Sequence, residues 1–213
     1  MINGAQSSKR LRAILKPVPI VPVLVVNDPD HAVPLAEALV AGGLPVVEVT
    51  LRTACAIEVI QRMSSVKDCV VGVGTLLTAS DVVKAKESGA QFGVSPGSTD
   101  ALVTSCETND LPLLAGVSSA SEIMRLCERG YDVAKFFPAE TSGGVGALAA
   151  FSGPLPQFHF CPTGGLNTEN VKNYLTLPNV LCVGGSWIVP SKHLANKNWP
   201  AIEKLAAVGS QLS

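Results

Sequence analysis

Residues 132–139 read DVAKFFPA, a short apolar run that stops at a proline. The run predicts a β-strand, and because side chains alternate between the two faces of a strand, Val133, Lys135 and Phe137 share one face. Ala134 and Phe136 lie on the other face, so from residue 133 onward both faces of the strand are apolar except at the lysine. Such strands are typical of a parallel sheet that is covered on both sides.

Seven further apolar runs occur along the chain, and amphipathic stretches with helical spacing separate them. Together with residues 133–136, the predicted strands are Ile20–Val26, Pro45–Thr50, Val70–Gly74, Phe92–Val94, Leu113–Ala115, Phe158–Cys161 and Leu181–Val183. The predicted helices are His31–Ala41, Ala54–Ser64, Ala79–Glu87, Thr99–Asn109, Ala120–Arg129, Val145–Phe151, Thr168–Leu175 and Trp199–Val208, with candidate N-caps at Asp30, Thr78, Ser98 and Asn167. Eight strands alternating with helices predict an α/β fold, a single-domain (β/α)8 TIM barrel.

A doubly wound open sheet is the alternative to a barrel, but no G-x-G-x-x-G fingerprint follows the first strand. Because no change in composition marks a linker, residues 1–213 are predicted to form one domain with a barrel core at about 18–190. The stretch Met1–Lys16 is polar and then amphipathic, and it predicts a helix ahead of the first strand. It lacks the long apolar segment of a signal peptide.

The composition is that of a globular domain with a large core: 47% of the residues are apolar, 15% are charged, and the net charge is −1. This balance argues against disorder, and also against nucleic acid or an anionic membrane as a partner. The apolar runs are too short to span a bilayer. The six cysteines form no C-x-x-C pair, which favours free thiols in a reducing, cytoplasmic compartment. Neither they nor the three histidines have metal-ligand spacing, so no metal is expected.

Lys135 is the residue of the predicted barrel that most strongly suggests chemistry. Burial of an ammonium group among apolar side chains is costly, so a lysine in such a place tends to become a neutral amine. A neutral amine in a dry pocket is a nucleophile for carbonyl carbons and can form a Schiff base. The alternative is a lysine at a strand end, whose stem packs while its ammonium group reaches water.

Glu48 is also expected inside the barrel. In the run VVEVTLR (46–52), alternation places Val47 and Val49 toward the helices and Glu48 and Arg52 on the opposite face. A buried carboxylate is costly unless it is paired or used in catalysis, and a structural ion pair with Lys135 or Arg52 is the alternative to a catalytic role. Arg52, nearer the barrel mouth, offers two parallel hydrogen bonds to a carboxylate or a phosphate.

Small and polar residues follow several strands at the rim where TIM-barrel active sites lie. The third strand leads to Thr75, the fourth to Ser95-Pro96-Gly97, the seventh to Pro162-Thr163-Gly164-Gly165, and the eighth to Gly184-Gly185-Ser186. Backbone N–H groups exposed in glycine turns bind phosphate, and the loops after strands seven and eight are its usual place in this fold. Either turn alone has a purely structural alternative. The sequence shows no evident partner for Asp132, Glu140 or His193.

Six segments in this order carry a family resemblance: EVTLR (48–52), GVGT (72–75), SPG (95–97), KFFPAE (135–140), PTGG (162–165) and GGSW (184–187). Together they closely resemble the 2-keto-3-deoxy-6-phosphogluconate (KDPG) aldolase family of class I aldolases, which also resemble 4-hydroxy-2-oxoglutarate aldolases in activity. The resemblance extends from about Pro19 to Pro190. The N-terminal stretch and the C-terminal tail lie outside it.

The resemblance implies that Lys135 is the Schiff-base lysine and Glu48 the general acid/base. It implies that Arg52 binds the substrate carboxylate, with Thr75 and Thr163 beside it. It further implies a substrate pocket that includes Pro96 and Phe137, and a phosphate site at Gly164, Gly165, Gly185 and Ser186. The family resemblance thus predicts a cytoplasmic, homotrimeric lyase of the Entner–Doudoroff pathway that acts on a phosphorylated keto acid, with no metal or organic cofactor.

Three alternative functions remain open on the sequence. An aldolase of the galactonate series would differ only in the stereochemistry of its substrate, which the sequence does not show. A phosphate-binding barrel isomerase would use carboxylate or cysteine acid/base groups, and an inward lysine beside an inward glutamate argues against it. A non-catalytic sugar-phosphate sensor would have no need of a buried neutral amine.

Overall fold

The computed structural model describes residues 1–212, in which parallel strands alternate with helices. The strands are β1 (Ile20–Leu24), β2 (Val46–Thr50), β3 (Val70–Gly74), β4 (Phe92–Val94), β5 (Leu113–Leu114), β6 (Gly116–Val117), β7 (Val133–Phe136), β8 (His159–Pro162) and β9 (Val183–Gly185). The helices are α1 (Gly4–Leu15), α2 (Ala32–Ala41), α3 (Ala56–Met63), α4 (Ala79–Glu87), α5 (Asp100–Thr108), α6 (Ala120–Glu128), α7 (Gly144–Phe151), α8 (Val171–Leu175), α9 (Ser191–Ala195) and α10 (Trp199–Gly209). A 3₁₀ helix, Pro29–His31, precedes α2.

The strands form a curled sheet in two pieces, which meet at both ends. One piece has the order β5-β4-β3-β2-β1-β9 and the other the order β6-β7-β8. Only Ala115 separates β5 from β6, and its carbonyl accepts a hydrogen bond from the Lys135 N–H at 2.9 Å, so β5 and β6 form one bent strand. A bridge between Thr163 and Gly184 joins the other ends. The predicted TIM barrel is confirmed, with its fifth strand bent.

The buried side chains form one layer outside the sheet and another inside the barrel. Val47, on β2, belongs to the outer layer with the helices, as the alternation predicts. Inside, Val133 at the start of β7 packs in one cluster with Leu11 and Leu15 of α1, all of them buried. The predicted N-terminal helix therefore covers the amino-terminal end of the barrel and leaves the opposite end for a site.

Several predicted boundaries are wrong, each for a local reason. The first strand ends at Leu24 rather than Val26, and the eighth lies at Val183–Gly185 rather than Leu181–Val183. The eighth moves because Gly184 and Gly185, interpreted as a turn, pair with β1 instead. Three helix starts also differ from the prediction. Asp28 rather than Asp30 caps the 3₁₀ helix ahead of α2, and Thr99 rather than Ser98 caps α5. Ahead of α8, the Asn167 side chain accepts hydrogen bonds from Glu169 N and Asn170 N in a turn rather than capping the helix.

No helix within residues 1–212 combines the length and the apolar character needed to cross a membrane.

Candidate active site

A buried lysine–glutamate pair lies inside the barrel. Lys135 Nζ of β7 is 3.3 Å from Glu48 Oε1 of β2, and the two side chains are only 6% and 4% exposed. The pair has its place because Val47 and Val49 turn outward to the helices and leave Glu48 facing inward. Gly74 makes room for the carboxylate, since a Cβ there would lie 2.2 Å from Glu48 Oε1.

The pair places an amine beside a group that can take or give a proton. Removal of two charges from water is costly, and their mutual hydrogen bond offsets only part of that cost. The structural ion pair considered for Glu48 and Lys135 is therefore present as a contact, and the same contact is the geometry of an amine with its general acid/base. The alternative pair with Arg52 is not formed within residues 1–212.

A cavity of about 260 Å³ opens at the carboxyl ends of β1, β8 and β9. Six of the predicted site residues line it, namely Arg52, Phe137, Thr163, Gly164, Gly165 and Ser186. Phe137 connects the cavity to the buried pair, because Lys135 Nζ lies 5.2 Å from the centre of the Phe137 ring. The structure thus brings a reactive amine, an aromatic wall, a guanidinium group and a glycine turn to one end of the barrel.

The turn after β8 is shaped for close approach of a ligand to the backbone. Gly164 and Gly165 have φ values of +101° and +83°, which residues other than glycine rarely adopt. The neighbouring strand β9 packs closely against Thr163, since a Cβ on Gly184 would lie 2.2 Å from Thr163 Oγ1. Thr163 itself is buried. Two glycine segments and a threonine therefore meet at the edge of the cavity where an anion could reach several N–H groups.

Gly185, Thr75 and Pro96 are the predicted binding residues that do not line the cavity. At Gly185 the reason is packing, because a Cβ there would lie 2.3 Å from the Trp187 ring. Thr75 follows β3 in the left-handed conformation, with φ of +63°, a costly conformation that recurs at functional sites. Pro96 packs its carbonyl against Gly116, the strand partner of Lys135. Pro96 therefore lies beside the strand that pairs with that of Lys135, and Thr75 lies at the end of the strand beside that of Glu48.

Three cavity residues and one interior neighbour were not singled out from the sequence. Val23, Val25 and Leu166 line the cavity together with Gly184, which the sequence placed in the last glycine turn, and Gly74 accommodates Glu48. The apolar residues gave no signal beyond that of core positions. Gly74, however, lies in a predicted strand, where a missing side chain often marks a close approach of other atoms.

Cys161 and Cys182 are buried inside the barrel, and Cys161 is the strand partner of Lys135. A hydrogen bond that the Cys182 thiol donates to Cys161, together with burial, raises the pKa of Cys182 well above its ordinary value. A thiol held in its protonated form is a poor acid/base group and a poor nucleophile near neutral pH. Cys182 therefore gives no support to the isomerase alternative with cysteine chemistry.

A buried amine beside a carboxylate, next to a cavity with a glycine turn at the open end of a parallel barrel, defines a class of enzyme: an aldolase that acts through a lysine Schiff base. The family model described as KDPG and KHG aldolase matches residues 11–205. The chain belongs to the KDPG and KHG aldolase family, and it is a carbon–carbon lyase.

Relatives of this family are similar over nearly the whole chain. The KHG/KDPG aldolase of Escherichia coli K12 is 47% identical over 195 residues, which is 91% of this chain and 92% of that protein. A structure of KDPG aldolase from Legionella pneumophila, with pyruvate captured as a covalent carbinolamine, is 44% identical with a TM-score of 0.91, covering 94% and 98% of the two chains. The KDPG aldolase of Zymomonas mobilis with 3-phosphoglycerate is 43% identical with a TM-score of 0.91, covering 97% of each chain.

Proposed function

We propose that this protein cleaves 2-keto-3-deoxy-6-phosphogluconate to pyruvate and glyceraldehyde 3-phosphate, with Lys135 as the Schiff-base lysine and Glu48 as the general acid/base. The observation that carries the proposal is the buried contact of Lys135 Nζ with Glu48 Oε1. The same site would cleave 4-hydroxy-2-oxoglutarate (KHG) to pyruvate and glyoxylate. The name of the Escherichia coli relative includes this activity beside that on KDPG. The carbinolamine captured in the Legionella protein supports a covalent route through an amine.

Formation of the imine is the first half of the reaction. The lone pair of the Lys135 amine attacks the C2 ketone of the substrate and forms a C–N bond, while the Glu48 carboxyl gives a proton to the carbonyl oxygen, which becomes the carbinolamine hydroxyl. Glu48 accepts the proton that the nitrogen loses and then returns it to that hydroxyl, which leaves as water. The product is a cationic imine at C2, which can accept an electron pair from the adjacent carbons.

Cleavage of the C3–C4 bond follows. Glu48, directly or through a water, takes the proton of the C4 hydroxyl, the C4–O bond becomes a carbonyl, and the electrons of the C3–C4 bond move to form the enamine. The aldehyde, glyceraldehyde 3-phosphate, leaves. Protonation of the enamine at C3 by Glu48 and hydrolysis of the imine then release pyruvate and the free amine. The imine accepts the electrons, so the route requires no metal or organic cofactor.

The residues around the cavity have the chemistry to orient this substrate. Arg52 would bind the substrate carboxylate with two parallel hydrogen bonds, next to the hydroxyls of Thr75 and Thr163. Phe137 would cover the pyruvyl end beside Lys135. The phosphate would lie at the glycine turns, as the resemblance implies, with N–H groups from these sites: Gly164, Gly165, Gly185 and Ser186.

An assay of pyruvate release tests the proposal against its alternatives. The substrates of the gluconate and galactonate series should be compared side by side, and we expect faster turnover of the gluconate series. Preference for the galactonate substrate would assign the rival stereochemistry. Release of pyruvate from neither substrate would favour the non-catalytic sensor.

Ser186→Asp is expected to weaken binding of the phosphorylated substrate. Ser186 is exposed and lines the cavity, so the new carboxylate fits sterically and meets the phosphate, and KM should rise roughly 30-fold or more from like-charge repulsion. Gly185→Asp is a poorer choice, because its Cβ would strike the Trp187 ring. Steady-state kinetics with KDPG measures the effect.

Two controls accompany Ser186→Asp. In Ser186→Asn, asparagine has nearly the same size as aspartate but no charge, so this variant should change KM far less. Exchange of the pyruvate methyl protons with deuterated water should be nearly unchanged in both variants, because pyruvate carries no phosphate. Equal effects of Asp and Asn on KM would place the phosphate elsewhere. An equal loss of proton exchange would mean that the substitution had damaged the fold or the lysine pocket.

The chain is further proposed to act in the cytoplasm as a homotrimer, as its family resemblance implies. Exposed apolar side chains, such as Leu77 and Val83 on and beside α4, are available for contact between copies. Sedimentation velocity of the purified protein measures the assembly.

A further inference from the structure

Glu140 and Tyr174 form a contact that the sequence did not show. Glu140 follows β7 five residues after Lys135, and Tyr174 lies on α8 with its side chain fully buried. The Tyr174 hydroxyl donates a hydrogen bond to Glu140 Oε1. Gly144, with φ of +57°, makes room for both groups, since a Cβ there would lie 3.2 Å from the Tyr174 hydroxyl and 3.6 Å from Glu140 Oε1.

Glu140 also packs directly against the turn that follows β8. Its N–H donates to the Gly164 carbonyl at 3.1 Å, and its Cγ would lie 2.6 Å from a Cβ on Gly165. On the other side, Asn170 Nδ2 donates to the Gly165 carbonyl at 3.1 Å. The carbonyls of the turn are thus held from two directions, which fixes the conformation of the turn.

The charge of Glu140 affects any anion that binds to the Gly164–Gly165 turn. A carboxylate behind the turn repels any anion that binds in front of it, and no basic side chain within residues 1–212 forms an ion pair with Glu140. The Tyr174 hydroxyl is the group that holds the carboxylate in its place beside α8.

We propose that the Glu140–Tyr174 hydrogen bond is a positioning device that sets the preference of this enzyme for phosphorylated over unphosphorylated substrates. The inference rests on the proposed function, in which the Gly164–Gly165 turn receives the phosphate. Tyr174 keeps the carboxylate turned away from the phosphate, while the backbone of Glu140 supports the turn. Neither residue touches the reacting atoms.

Tyr174→Phe tests the proposal by releasing the carboxylate while keeping the buried ring. We expect KM for KDPG to rise roughly tenfold, because the released Glu140 carboxylate and the phosphate would repel each other as two partly solvated charges several ångströms apart. The value of kcat should change little. Turnover of the unphosphorylated analogue 2-keto-3-deoxygluconate and exchange of pyruvate methyl protons should stay within about twofold of the wild type, since neither involves the phosphate.

The double variant Tyr174→Phe, Glu140→Gln supplies the rescue. Without the charge there is no repulsion, so KM for KDPG should return to within about threefold of the wild type, although the hydrogen bond is still absent. Equal losses on phosphorylated and unphosphorylated substrates, no rescue by Glu140→Gln, or an unchanged KM in Tyr174→Phe would each overturn the proposal. Failure of the proposed function itself would appear differently, as absence of pyruvate release by the wild-type enzyme.

Discussion

Replacement of Lys135 by methionine is expected to abolish turnover of KDPG. Methionine retains the length and apolar stem of the side chain, but it has no nitrogen with which to attack the C2 ketone. Since every later step proceeds through the imine, kcat should fall by at least about 10⁴-fold, as for removal of nucleophiles in other covalent enzymes. Exchange of the pyruvate methyl protons should be lost to the same extent, because it needs the enamine as well.

A stability control separates this loss from damage to the fold. Lys135→Met leaves Glu48 buried without its partner, which costs about 3–5 kcal/mol of stability where a buried pair is broken. The double variant Lys135→Met, Glu48→Gln is neutral at both positions, and its melting temperature should recover while its activity does not. Substantial turnover in either stable variant would remove Lys135 from the mechanism.

Glu48→Gln is expected to lower kcat by about 10²–10⁴-fold, the contribution of a positioned acid/base group. Glutamine retains the shape and a hydrogen-bonding oxygen near Lys135 Nζ, but it cannot carry protons to the carbinolamine or to C3. Imine formation and enamine protonation should both slow, so methyl-proton exchange should fall with kcat. The melting temperature should fall much less than in Lys135→Met, because glutamine still accepts the hydrogen bond from Lys135 Nζ, whereas methionine offers no donor to Glu48.

The structural interpretation of Glu48 predicts the opposite pattern. If the carboxylate only balances the ammonium group of Lys135, Glu48→Gln should change stability markedly, while methyl-proton exchange approaches that of the wild type at some pH. Exchange measured over a range of pH, with a melting curve beside it, decides between the two. Near-normal exchange in Glu48→Gln would remove this residue from catalysis.

The inward positions of Lys135 and Glu48 could be predicted from the sequence because they depend on a local rule. Alternation along a strand fixes which residues share a face, and valines beside Glu48 show which face meets the helices. The strands and most of the helices followed from the same periodicity, although α9 was not predicted. The end of the barrel that holds the site followed from the fold itself.

What the sequence could not supply depends on contacts between distant residues. Tyr174 and Glu140 are 34 positions apart, and only the folded chain brings the hydroxyl to the carboxylate. The shift of the last strand has the same origin, because a Gly-Gly pair is typical of a turn and only its pairing with β1 makes it a strand.

Trapping of the Schiff base is the most direct test of Lys135 as the nucleophile. Borohydride added to the enzyme with pyruvate should reduce the imine and leave one pyruvyl-derived group on the protein, with loss of activity. Peptide mapping by mass spectrometry should place this group on Lys135, and Lys135→Met should acquire none. A reduced adduct on another lysine, or no adduct in an enzyme that still cleaves KDPG, would contradict the account.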